Sequence, residues 1–167
     1  MTLSPAVQEA LNAQIKHEFD SAYIYLSMAA YCESANLPGF AHWLGVQARE
    51  EVEHAMKFYA FIHDRGGRVQ LRALDQPPTE FGSILGVFEQ ALAHERKISG
   101  LINQLYGLAA GEQDYASQAF LQGFVTEQVE EEKITSQVVE RLKLAGDSTH
   151  ALLLVDREVG ERQGEDA

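Results

Sequence analysis

Carboxylate, imidazole and amide side chains recur at helical spacing in four separate parts of the chain. Two parts carry a single glutamate, and two carry a pair of residues three apart: Glu18, Glu51 with His54, Glu95, and Gln128 with Glu131. Residues three or four apart lie on the same face of a helix, so each pair projects in one direction. Carboxylate oxygen and imidazole nitrogen together suit iron, manganese or zinc better than a soft metal.

These polar residues stand in the middle of apolar stripes that have the three-and-four spacing of a helix. The apolar members on either side are Ile15 and Ala22, Leu44 and Phe58, Leu92 and Ile98, and Phe124 and Val138. The polar side chains therefore point into the same interior as their apolar neighbours. A buried, unpaired carboxylate costs several kcal/mol, so the cluster either takes up protons or binds cations.

The charges of this cluster predict a site for two metal ions, because four carboxylates balance two divalent cations. One ion would be bound by Glu18, Glu51 and His54. The other would share Glu51 as a bridging ligand and add Glu95 and Glu131. The second ion has no histidine ligand, so we expect it to bind more weakly and to leave after oxidation, which favours storage over a fixed redox centre.

Four long helices and one short helix account for most of the chain, and strand-like alternation is absent. The expected helices cover residues 4–34, 38–66, 82–110, 114–145 and 148–159. The stretch 68–81 contains Pro77 and Pro78 and is too long for a tight turn, so it predicts a crossover. The pattern predicts an all-α fold in one domain over residues 1–167. This fold is an antiparallel four-helix bundle with a long crossover between the second and third helices and a short C-terminal fifth helix.

Composition limits the partners of the chain. Its 167 residues carry a formal net charge of −12, which disfavours nucleic acid and anionic membranes and attracts cations. No run approaches the roughly 18 apolar residues that span a bilayer, and the first residues do not form a signal peptide. The one cysteine, Cys32, leaves no internal disulfide. These features predict a soluble cytoplasmic protein that binds neither nucleic acid nor membranes.

The strings around the two pairs resemble bacterial non-haem ferritins. The string QAREEVEH at 47–54 is similar to the second helix of that family, and TEQVEEEK at 126–133 to the fourth. Glu18 with Tyr25 resembles the first helix and His94-Glu95 the third, so the resemblance covers nearly the whole chain. Ferritin-like di-iron bundles carry Glu on two helices and Glu-x-x-His on the other two. Here Gln128-x-x-Glu131 replaces the second of these motifs.

The resemblance implies that the chain stores and detoxifies iron. It implies a homo-oligomeric shell of twenty-four subunits around a ferric mineral, and a ferroxidase that uses O2 or H2O2 at an intrasubunit di-iron centre. The residues implied for this centre are Glu18, Glu51, His54, Glu95 and Glu131, with Gln128 alongside. A third iron site toward the cavity is implied at Glu50, Glu127 and Glu130.

Further residues bear on the redox chemistry. Tyr25 lies two turns from Glu18 on the same helix face, so it could supply an electron or hydrogen-bond a ligand. Bacterioferritins resemble this family but carry a haem-ligating methionine beside the second-helix glutamate. That position is Val52 here, so no haem is expected. The remaining histidines are expected at the surface or at interfaces: His17, His42, His63, His94 and His150.

Two other functions are compatible with such a bundle. One is a non-storage di-iron peroxidase or oxygenase, which needs an open substrate pocket and a smaller assembly. The other is a structural bundle or DNA-protecting mini-cage without an intrasubunit site, which the negative charge and the lack of a basic tail disfavour. Assembly size separates the first from a ferritin, and metal content separates the second.

Overall fold

A computed structural model describes residues 2–164 of the chain. Within that range there are five helices and no strand: α1 Pro5–Ser34, α2 Pro38–Asp64, α3 Ile84–Gly111, α4 Tyr115–Ala145 and α5 Thr149–Val159. The pairs α1–α2, α3–α4 and α1–α3 pack together, and α5 contacts both α2 and α4. The prediction of an all-α four-helix bundle with a short fifth helix is confirmed. None of these helices is long and apolar enough to cross a membrane.

Side-chain caps determine where four of the helices begin. The capping residues each accept a hydrogen bond from the backbone N–H three residues on, and they are Ser4, Ser83, Asp114 and Ser148. The helix α3 begins at Ile84, two residues later than the sequence predicts. The reason is that Gly82 has a φ of +78°, which no right-handed helix uses, and Ser83 then provides the cap.

The segment 65–83 runs along α1 as the predicted crossover between α2 and α3. The buried Asn12 accepts a hydrogen bond from the backbone N–H of Gln70 at 2.7 Å and donates one to the carbonyl of Arg68 at 3.0 Å. Backbone groups outside regular structure need such partners. The bonds to Asn12 hold the crossover against the helix that carries Glu18.

Two hydrophobic clusters fill the bundle on either side of a polar layer. One cluster contains Trp43 and Phe88, and the other contains Phe58 and Ile102. On every long helix the polar residues fall between the members of the two clusters. The buried polar residues of this layer are Glu18, Glu51, His54, Glu95 and Gln128. The packing on both sides therefore fixes this layer in the middle of the bundle.

The helix α5 docks against the start of α2 through a buried acid. The carboxylate of Asp156 accepts a hydrogen bond from the backbone N–H of Phe40 at 2.8 Å, which satisfies a group that a helix start leaves without a partner. A Cβ at Gly39 would lie 1.8 Å from the carbonyl oxygen of Asp156, so only glycine permits this approach. Beyond α5 the chain brings Arg162 beside Gln47 and Glu50 of α2.

Candidate metal centre

Glu18, Glu51 and His54 bring three donor atoms together in the polar layer. Each residue offers one ligand atom, and these atoms all lie within 4.8 Å of one another. Nδ1 of His54 lies 3.4 Å from Oε2 of Glu51 and 3.9 Å from Oε2 of Glu18. Among residues 2–164 this is the only group of three or more His, Cys, Asp or Glu side chains that meets this distance.

The second nitrogen of His54 faces a carboxylate on α4. Nε2 lies 3.4 Å from Oε2 of Glu127. A proton on Nε2 leaves the lone pair of Nδ1 directed at Glu18 and Glu51. A carboxylate beside the distal nitrogen is the usual arrangement of a metal-binding histidine, and Glu127 lies on that side of the ring without a hydrogen bond to it.

Glu95 is fully buried on α3 and is held from two sides. The hydroxyl of Tyr25 donates a hydrogen bond to its Oε1, and the amide of Gln128 donates to its Oε2 at 3.1 Å. The structure thus places Tyr25 against a predicted ligand, which is one of the two roles that the sequence left open for it.

Glu131 on α4 is oriented by α2. Its Oε2 accepts a hydrogen bond from Nε2 of Gln47 at 2.5 Å, and Oε1 of Gln47 accepts one from Nη1 of Arg162 at 2.6 Å. The charges of Glu95 and Glu131 both act on Glu51. Among residues 2–164, only Glu18, Glu51 and His54 form a donor group within 4.8 Å, so Glu95 and Glu131 act on Glu51 from outside that group.

Neutral amides orient three of the carboxylates without cancelling their charge. Gln14 donates to Oε1 of Glu18 at 2.7 Å, as Gln128 does to Glu95 and Gln47 to Glu131. Sequence reasoning missed Gln14. The available signal was its position four residues before Glu18, which puts both side chains on one helix face.

Burial and mutual repulsion raise the pKa values of the carboxyl groups in this layer. Burial, followed by the charge of Glu51, raises the pKa of Glu18 well above its usual value. Burial and the charge of Glu95 do the same to the pKa of Glu51. Burial is also the main cause that raises the pKa of Glu95 and of Glu131. The charge of Arg162 lowers the pKa of Glu131 but does not offset burial and repulsion, so the layer favours protons that a cation would displace.

Unpaired carboxylate oxygens mark the place where a cation fits. In the described part of the chain, the buried side-chain atoms without a hydrogen-bond partner are Oγ1 of Thr135 and Oε2 of Glu18, Glu51 and Glu127. The three carboxylate oxygens lie 3.4 to 3.9 Å from the nitrogens of His54. Orphaned buried oxygens are rare because they cost free energy, and a coordinated divalent ion removes that cost. Oxygen donors with one imidazole nitrogen suit Fe(II).

The three acids predicted for a third site have different surroundings. Glu50 is buried on α2, and its Oε2 accepts a hydrogen bond from Nη2 of Arg162 at 2.7 Å. Glu127 is partly buried and lies 3.8 Å from Nζ of Lys57, whereas Glu130 is exposed. Arg162 therefore occupies the position beside Glu50 that a third metal ion would take.

His94 is half-buried, and its ring contacts two residues of α1. Its Nε2 lies 2.7 Å from Oγ of Ser21, and its ring packs edge-on against Tyr25 with the centroids 6.1 Å apart. Burial lowers the pKa of His94 to about 4, so the ring is neutral at pH 7. The neutral ring of His94 therefore packs against Tyr25 without adding a charge there.

Known proteins are similar to this chain in sequence and in fold. The family described as Ferritin-like domain matches residues 8–145. A bacterial non-heme ferritin of Bacteroides fragilis (strain 638R) is 42% identical over 160 residues, which cover 96% of this chain and 99% of the relative. A bacterial non-heme ferritin of Staphylococcus aureus (strain USA300) is 39% identical and covers 96% of each chain.

A solved structure gives the same result for the fold. An open pore ferritin from the hyperthermophilic archaeon Archaeoglobus fulgidus matches with a TM-score of 0.96 and 46% sequence identity. The match covers 97% of this chain and 100% of that chain, so it extends over the whole bundle and the short fifth helix.

Proposed function

The chain belongs to the ferritin family and stores iron, and on this premise we propose that it oxidises the iron it stores at the buried centre of its own bundle. The substrates are Fe(II) and either O2 or H2O2. The product is Fe(III), which passes into a ferric mineral inside a shell of subunits. This activity is that of a ferroxidase.

The observation that carries this proposal is the set of unpaired carboxylate oxygens around His54. Oε2 of Glu18 and Oε2 of Glu51 are buried without hydrogen-bond partners, and both lie within 3.9 Å of Nδ1 of His54. Without a cation, these two carboxyl groups can satisfy each other only by sharing a retained proton. A metal substrate supplies the missing partner.

We assign the first Fe(II) to Glu18, Glu51 and His54, and the second to Glu51 with Glu95 and Glu131. The charges of both second-site acids act on Glu51, which supports its role as the shared ligand. Two divalent ions and four carboxylates are together neutral, so binding removes the repulsion and displaces the retained protons. The second position has no imidazole, so its ion is held more weakly and leaves after oxidation.

The side chains contribute position and charge, whereas the iron supplies the electrons. Two Fe(II) ions held side by side deliver two electrons to one oxidant. With two protons, O2 becomes H2O2, or H2O2 becomes two molecules of water. Gln128 and Tyr25 fix the orientation of Glu95 by hydrogen bonds to its two carboxylate oxygens.

We further propose that copies of the chain form a cage of twenty-four subunits in the cytoplasm, with a third iron site at Glu50, Glu127 and Glu130. The match to an open pore ferritin over 97% of this chain supports the cage. The net charge of −12 favours cations over nucleic acid as partners. Because Val52 stands at the position of the haem-ligating methionine of bacterioferritins, we propose no haem.

Iron retention separates storage from the alternative function, a di-iron peroxidase or oxygenase without a store. The purified protein is loaded aerobically with a large excess of Fe(II) and is then separated by size while iron and protein are recorded together. We expect iron to co-elute with a cage-sized particle, in far larger amounts than the ligands of each chain can bind. Iron that remains at about two ions per chain in a small assembly would contradict storage and favour the alternative.

A further inference from the structure

The segment after α5 brings a guanidinium group next to the metal centre. Nη1 of Arg162 donates to Oε1 of Gln47 at 2.6 Å, and Nη2 donates to Oε2 of Glu50 at 2.7 Å. The guanidinium carbon lies 4.5 Å from the ring centroid of Trp43, and the carbonyl oxygen lies 2.8 Å from Nε2 of His42. Arg162, which lies beyond the end of α5, thus contacts four residues of α2.

The guanidinium group neutralises the buried acid of the proposed third site. The side chains of Arg162 and Glu50 are 17% and 11% exposed, so water screens the pair only weakly and the charge-assisted hydrogen bond is strong. Arginine stays protonated in proteins. A metal ion that takes Glu50 as a ligand must therefore displace Arg162.

We propose that Arg162 is a tethered cation that competes with metal ions for Glu50 and thereby sets the affinity of the third site. This inference rests on the third site of the proposed function. Without metal at that site, Arg162 balances the charge of Glu50. When an ion reaches Glu50, the guanidinium moves away, and the third site gains its buried ligand only at that moment.

Displacement of Arg162 by a metal ion at the third site also affects Glu131, a ligand of the second ion. Arg162 holds the carbonyl oxygen of Gln47, and the amide nitrogen of Gln47 donates to Glu131 at 2.5 Å. When Arg162 leaves, Gln47 loses the partner that fixes its orientation. An ion at the third site therefore loosens the hydrogen bond that positions Glu131.

A cleft beside Arg162 can accept the displaced guanidinium. It has a volume of about 210 Å³, and its lining includes Trp43, Arg141, Glu158 and Arg162. Glu158 accepts a hydrogen bond from Arg141 at 3.1 Å and is exposed, so its carboxylate can receive a second cation. Because Arg162 lies beyond the end of α5 at Val159, this movement requires no change within a helix.

Anaerobic calorimetric titration of the assembled protein with Zn(II) tests the competition, because Zn(II) binds without redox chemistry. The wild type is compared with Arg162→Gln and with Arg157→Gln, a control that removes the charge of an exposed arginine on α5. We expect the first ion to bind alike in all three proteins, and the second to bind alike in the wild type and the control. The third ion should bind about tenfold more tightly in Arg162→Gln alone, the effect of one charge-assisted hydrogen bond. The gain should disappear when Glu50→Gln is added.

Trp43 gives a second readout of the same competition. It is the single tryptophan of the chain, so its fluorescence reports whether the guanidinium of Arg162 remains on its ring. We expect the fluorescence of the wild type to change as the third Zn(II) binds and to stay unchanged in Arg162→Gln.

Two sets of results would count against the competition, and they differ in what they say of the proposed function. An equal third-step affinity in the wild type and Arg162→Gln, or a steady Trp43 signal through the third step, overturns the competition. In that case two tightly bound ions would leave the di-iron centre intact. If none of the proteins binds Zn(II) tightly, the proposed function fails as well, and the competition fails with it.

Discussion

Glu51→Gln is expected to slow Fe(II) oxidation by about a hundredfold while the protein remains assembled. Glu51 is the one residue assigned to both ions, and glutamine keeps its shape while removing its negative charge. Even a residue that only supports a ligand typically contributes ten- to a hundredfold to affinity or activity, so loss of a shared ligand reaches at least the upper end of that range. The initial rate of Fe(III) formation under air, at low ratios of Fe(II) to chain, measures the effect.

Glu53→Gln provides the matched control for this comparison. Glu53 lies two residues along α2 from Glu51 and is exposed, so its substitution removes the same charge from the same helix without touching the polar layer. We expect its rate to equal that of the wild type. Equal rates in Glu51→Gln and Glu53→Gln would mean that oxidation occurs somewhere other than this buried cluster.

The same Glu51→Gln substitution is expected to make the metal-free protein more stable, by about 1–3 kcal/mol in the free energy of unfolding at pH 7. The wild-type carboxyl group is buried, and its Oε2 has no hydrogen-bond partner. Its burial penalises the charged form, and no cation in the described bundle offsets the penalty. Function and metal-free stability therefore oppose each other at this residue.

The pH dependence of stability follows from the direction of the pKa shifts. The pKa of Glu51 and of Glu18 is raised in the folded state above the usual value of 4.5. Below about pH 4.5 both states hold the protons and these groups contribute no difference. As pH rises above that value, the unfolded chain ionises while the folded chain retains its protons, so the metal-free protein loses stability. This loss should be smaller in Glu51→Gln.

Thermal unfolding of chelator-treated protein between about pH 5 and pH 8, with and without Zn(II), measures the effect of Glu51→Gln on stability and the change of stability with pH. Zn(II) should raise the melting temperature of the wild type by mass action and that of Glu51→Gln far less. Glu53→Gln should follow the wild type within about 0.5 kcal/mol. A metal-free Glu51→Gln protein that is less stable than the wild type at pH 7 would show that the Glu51 carboxylate makes a net stabilising interaction in the folded protein.

The fold and the centre of the site could be predicted because they depend on local rules. Apolar residues at helical spacing determine which face of each helix is buried, and interruptions such as Glu18 and Glu95 on those faces can only meet inside the bundle. The three-residue spacing of Glu51 and His54 is enough to place both side chains on one face of α2. The caps Ser4 and Asp114 also follow from local sequence, because capping depends on a few adjacent residues.

Contacts between residues distant in the chain could not be predicted from these rules. Arg162 lies 112 positions after Glu50, and no helical spacing connects a residue beyond α5 with the middle of α2. The partial burial of His94 also depends on the packing of α3 against Ser21 and Tyr25 of α1. Such contacts follow from the relative positions of helices, which sequence periodicity alone does not determine.

Anomalous diffraction from crystals loaded with Fe(II) without oxygen tests the central claim most directly, because it locates the ions. The di-iron assignment predicts a strong peak bound by Nδ1 of His54, Glu18 and Glu51. It also predicts a second, weaker peak bound by Glu51 with Glu95 and Glu131. Iron bound elsewhere in the protein, with no peak at coordinating distance from Nδ1 of His54, would contradict the assignment of this buried layer as the ferroxidase centre.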